Sequence, residues 1–170
     1  MASLPRELPK PLQWLTGFVA VASAFLAMDS LRLFAESPLL DFVITVQNHY
    51  YYALMGLLLP LCFLIYPSFR GPKSYWLDGV LALATFAACC FFFFNAETML
   101  DYGWEFLAPS YAVWVSYLLW ALIMEGVRRS GGWVLFFLVL VFSIYPVVAD
   151  KLPGPISGMS STLSETASYH

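Results

Sequence analysis

Charge is scarce in this chain. Lys, Arg, Asp and Glu make up 11% of its 170 residues, where a water-soluble domain carries about 25%. The eight basic residues are scattered, so no patch is large enough to grip a phosphate backbone, and nucleic acid is excluded as a partner. No G-x-x-x-x-G-K-[ST] loop is present, so the chain does not energise transport with ATP by itself. There is no H-E-x-x-H and no paired C-x-x-C, and two histidines at the margins of apolar runs do not assemble a Ser/His/Asp set. No metal, no cofactor and no enzymatic activity is expected. The three cysteines, Cys62, Cys89 and Cys90, all lie inside apolar runs. Adjacent cysteines are badly placed for an unstrained disulfide, so these thiols are expected to act as small buried hydrophobes.

Apolar sequence is what the chain has in excess, 61% of it. Water cannot solvate that surplus, so lipid must, and the fold class expected is all-α: a polytopic membrane protein with five transmembrane helices. The approximate spans are 12–34, 49–67, 76–96, 107–127 and 131–149, each near the ~20 residues that cross a ~30 Å hydrocarbon core. Residues 1–10 read as a disordered cytoplasmic lead, 11–149 as the membrane domain and 150–170, rich in Ser, Thr, Gly and Pro, as a flexible tail. The first run also resembles a signal peptide, with Ala22-Ser23-Ala24 as a cleavage site. Its apolar stretch continues past that site through Phe25, Leu26 and Met28, which favours an uncleaved anchor.

Charge placement orients the spans. With the N-terminus in the cytoplasm, Arg6, Lys10, Arg70, Lys73, Arg128 and Arg129 fall inside, and only Arg32 and Lys151 fall outside. The positive-inside rule therefore predicts N-in and C-out. Asp29 and Arg32 are three apart and would pair at the interface where the first helix leaves the membrane. Tyr50, Tyr51, Tyr52 and His49 are expected at headgroup level, and Pro60 should kink the second span. Phe91 to Phe94 cover every face of a helix turn. Asp78, Glu97 and Glu125 are placed at helix ends, leaving no charge at a helix centre, where one costs about 2.5–3.5 kcal/mol and usually marks a pathway.

The stretch that organises the rest is Leu119 to Trp133. An apolar run ends in Glu125, Arg128 and Arg129, followed by Gly131 and Gly132, and a second apolar run starts at once. That grammar is a membrane hairpin with a basic turn. Spacings of three and four place Glu125, Arg128 and Arg129 on one helix face, where they can form a local salt bridge at the membrane surface or a contact for a partner.

Glu125-Gly126-Val127-Arg128-Arg129, then Gly132-Trp133, an apolar run, Tyr145 and Leu152-Pro153-Gly154 resemble the N-terminal region of fused permeases of the tripartite ATP-independent periplasmic (TRAP) transporters, of the TAXI-associated kind. The pattern there looks like E-A-x-R-R-x-x-G-W, a helix, then a short L-P-G exit. Phe63-Leu64-Ile65-Tyr66-Pro67 is similar to the family's F-L-x-Y-P, and Ser74-Tyr75-Trp76-Leu77-Asp78 and Asn95 with Glu97 fall where such proteins carry comparable residues. The resemblance covers roughly residues 50–154. It implies a small Q-type membrane scaffold of a secondary transporter in the bacterial inner membrane. Its implied partners are a large M-type permease region, which holds the sodium and substrate sites, and a periplasmic binding protein that delivers an organic anion. The chain stops at His170, about where M-type helices would start, so these residues are expected to transport nothing alone. No sodium or substrate ligand is carried over. Two other readings compete. One is a standalone membrane assembly or interaction protein. The other is a membrane redox enzyme using Cys89 and Cys90.

Overall fold

The computed structural model describes residues 5, 6, 8–31, 44, 46–69, 72–104 and 108–149, with the side chains of 72 and 73 excepted. The described residues are helical almost throughout, in two units, residues 3–97 and residues 98–170 with 1–2. The expected Arg32 pairing and the tail at 150–170 lie outside the described residues.

The first unit contains α1 (Lys10–Ser30), α2 (Gln47–Ile65) and α3 (Pro72–Phe94). Proline helps set where they begin. Pro9 caps α1 in an extended conformation, and Pro72 opens α3, where a missing N–H costs nothing. Consequently α3 starts about a turn earlier than the expected span at 76. Pro60 is accommodated inside α2, which continues to Ile65.

α2 and α3 run antiparallel. Tyr52 stacks on Phe92 with ring centroids 5.1 Å apart, and one turn further along a Cβ on Gly56 would come to 3.0 Å of the Cys89 Cβ. Gly56 therefore lets the two backbones approach, as small residues do between membrane helices. Phe63, Thr85 and Cys89 are all but fully buried along this seam. Cys89 fills space against Gly56 as a small hydrophobe would, and all three cysteines are free thiols. α1 lies against α2 with opposite direction: Asp29 at its C-terminal end meets Tyr50 at the start of α2, and Arg6 just before it meets Ile65 at the other end. The start of α1 and the α2–α3 turn thus share one end of this unit, as the charge pattern requires.

After α3, Asn95 folds its side-chain amide back onto the Phe91 carbonyl. The segment between the expected spans 76–96 and 107–127 then contains a short helix, α4 (Ala96–Asp101), and Gly103 turns the chain at φ 59°.

The second unit is built on α5 (Ser110–Val148), broken at Gly132, whose φ of 76° and ψ of −173° are not helical. A straight helix of 39 residues would run about 58 Å, nearly twice the ~30 Å hydrocarbon core. It does not run straight. The Trp120 indole N–H donates to Ser143 Oγ at 2.9 Å, although 23 residues of unbroken helix would separate them by about 35 Å. The chain therefore reverses at Gly132, and the arms 110–131 and 133–148 form the expected hairpin. The first arm starts after Pro109, later than the expected 107.

Four helices among the described residues are long and apolar enough to cross a membrane, and the fourth is this folded α5. The two arms give the fifth apolar segment of the sequence reading. Large apolar side chains point outward along them, among them Trp114, Val134, Val141 and Phe142. A lipid-surrounded helix needs such an outer face.

Candidate functional site

Among the described residues, three polar clusters interrupt the apolar chain. The first is at the hinge. Glu125 ends the apolar part of the first arm, and the helical spacing brings Arg128 and Arg129 onto its carboxylate. Arg128 binds it through two bonds, Nε to Oε2 and Nη2 to Oε1, both 2.7 Å, the forked geometry that guanidinium and carboxylate favour. Arg129 Nε donates to Oε1 at 2.8 Å. The three predicted residues are thus gathered on one oxygen pair.

They differ in exposure. Arg128 and Glu125 are about a third exposed, whereas Arg129 is 2% exposed. Arg128 also lies over the Trp133 ring, 5.4 Å from its centroid, a cation–π contact that bridges the Gly132 break. Trp133 in turn stacks on Phe137. On the other side of the turn, a Cβ on Gly131 would come to 2.9 Å of Leu135 Cβ and would clash with Leu135 Cδ2. The glycines have separate reasons. Gly131 makes room for Leu135, and Gly132 supplies a backbone angle that L side chains resist.

The second cluster sits where α2 turns into α3, and the sequence reading did not single it out. Asp78 is fully buried. Its Oδ2 accepts from Ser74 Oγ at 2.7 Å and from Arg6 Nη2 at 3.0 Å, and its Oδ1 accepts from the Ser68 backbone N–H at 3.2 Å. Arg6 Nη2 also reaches Ser74 Oγ at 3.2 Å, and its guanidinium lies 3.8 Å over the Tyr75 ring centroid. Arg6 falls in the segment read as a free lead, yet its backbone N–H is bonded to the Ile65 carbonyl at 2.8 Å. The i, i+4 pair Ser74 and Asp78 was the available signal; Arg6, far away in sequence, carried none.

The third cluster lies at the opposite end of the same unit. The Tyr50 hydroxyl donates to Asp29, and both Asp29 and His49 are buried. His49 is turned into the unit. Its Nδ1 accepts the Val46 backbone N–H at 3.3 Å, capping α2, and its ring meets Phe93 edge-on at 4.8 Å. Of the three tyrosines, only Tyr51 is exposed; Tyr52 is buried.

The clusters are built of ion pairs and capping bonds. Among the described residues, no group of three or more His, Cys, Asp and Glu side chains gathers at metal-binding distance. What the arrangement can do chemically is fix turns and helix ends. This chain is a multi-pass helical membrane protein. No family model, no curated protein and no solved structure matches it.

Proposed function

We propose that the chain is the small, Q-type scaffold of a TRAP-type secondary transporter. It would sit in a bacterial inner membrane with its N-terminus in the cytoplasm and its C-terminal side outside, and would have no catalytic activity of its own. Its part is to hold a large M-type permease in the bilayer, while that partner and a periplasmic binding protein import an organic anion coupled to sodium.

The observation that carries this reading is the coincidence at the hinge. Glu125, Arg128, Arg129, Gly132 and Trp133, the residues with the most specific resemblance to that family, are also the residues that make the turn between the two arms of α5. The apolar surface supports it as well. The charges at Asp29, Asp78 and Glu125 are each held by a partner near a helix end or turn, which suits a supporting role.

Reversing the hinge charge tests the proposal. Arg128→Glu combined with Arg129→Glu should invert or scramble the α5 hairpin in a topology-reporter assay, or lower the yield of the partner complex. Unchanged topology with unchanged complex yield contradicts the role given to this cluster. A chain that purifies stably without any polytopic partner would instead be a standalone membrane interaction protein.

A further inference from the structure

His49 is the third residue of α2, and its side chain reaches back to the residue that caps the helix. Its Nδ1 accepts the Val46 backbone N–H at 3.3 Å, while its own backbone N–H donates to the Val46 carbonyl at 3.1 Å. Glu and Gln commonly fill this position, because their side-chain oxygens accept that N–H in a capping box. A histidine there differs in one respect: an imidazole gains or loses a proton between pH 5 and 8. An amide N–H only donates, so Nδ1 must offer a lone pair and the ring hydrogen belongs on Nε2. A protonated imidazole carries N–H on both nitrogens and accepts nothing. The bond to Val46 therefore exists only while His49 is neutral.

The surroundings do little for an added charge. His49 is buried, its ring meets the uncharged Phe93 of α3, and a cation in a first turn is opposed by the helix dipole. The titratable groups at this end are Asp29 of α1, Tyr50, Tyr51 and Tyr52 of α2, and Glu97 beyond the end of α3. Asp29 accepts the Tyr50 hydroxyl, and among the described residues no carboxylate is bonded to the imidazole. We infer that His49 is a proton-sensitive cap, which fastens the start of α2 when neutral and releases it when acid protonates the ring. The same end of the unit carries the Asp29–Tyr50 bond between α1 and α2. On the N-in orientation proposed above, that end faces the outside of the cell; the capping chemistry does not depend on the orientation.

The test uses the full chain in lipid nanodiscs with His170→Asn, which leaves His49 as the only histidine. At pH 8 the ring nitrogen shifts in NMR should show a proton on Nε2 and none on Nδ1. Between pH 8 and pH 5 the ring should titrate. Over the same range the protection of the Val46 amide, taken relative to its intrinsic exchange rate at each pH, should fall about fivefold, as for the loss of one hydrogen bond. His49→Gln supplies an acceptor that does not titrate and should hold that protection constant. His49→Ala should show at pH 8 the low protection that the native side chain gives at pH 5. A proton on Nδ1 at pH 8, constant protection while the ring titrates, or a loss that persists in His49→Gln overturns the cap. A ring still neutral at pH 5 overturns the switch. Should neither variant fold, the ring tautomer and the titration with His49 in place decide.

Discussion

At the scale of single residues, two glycines and one carboxylate decide the hinge. Gly132 sits at φ 76° and ψ −173°, a region that essentially only glycine occupies and where an L side chain costs about 1–3 kcal/mol, while Gly131 is constrained by Leu135. Gly131→Ala and Gly132→Ala should both destabilise the chain in detergent unfolding. Adding Leu135→Ala should relieve the first substitution in part, the contact with the Leu135 Cβ remaining, and leave the second as it was; equal relief of both would mean that backbone conformation is irrelevant at 132. Glu125 is the shared acceptor of both arginines. Glu125→Gln weakens the contact of a nearly buried guanidinium and should cost about 1–3 kcal/mol, discounted for the partial exposure of Glu125. Arg128→Gln, at the exposed side, should cost under about 1 kcal/mol, and the two unfolding midpoints distinguish them. The hinge triad was legible because i, i+3 and i, i+4 spacing on a helix is a local rule. The Arg6–Asp78 pair was not, because 72 residues separate its members and only tertiary packing brings them together.

At the scale of helices, apolar runs announced each long helix, and the ends followed local proline and cap chemistry that hydropathy does not register. Pro72 and Pro109 moved two helix starts away from the apolar boundaries. His49, in the first turn of α2, is turned into the unit, where its ring nitrogen caps the helix. The closeness of α2 and α3 rests on Gly56 against Cys89, a pairing that no pattern in either run reveals. Gly56→Leu should force the helices apart and cost about 1–3 kcal/mol by overpacking. Gly17→Leu in α1, where an added Cβ meets nothing within 4 Å, should be near neutral by the same measurement. In the hairpin, Trp120→Phe removes the indole donor to Ser143 and keeps an aromatic ring. It should cost about 0.5–1.5 kcal/mol and leave the hairpin formed, as judged by crosslinking between cysteines introduced in the two arms.

At the scale of the molecule, the polar clusters of the described residues lie at turns and helix ends. The protein's fold class followed from composition, since so little charge with so much apolar sequence leaves lipid as the only solvent. Its activity did not follow in the same way, because no described cluster holds an open site and the function proposed here belongs to an assembly. The direct measurement is therefore a pull-down of the tagged chain from its native membrane in mild detergent, with the associated proteins identified. The scaffold account predicts that a large polytopic permease comes down with it in stoichiometric yield. Recovery of a stable chain with no such partner would contradict it.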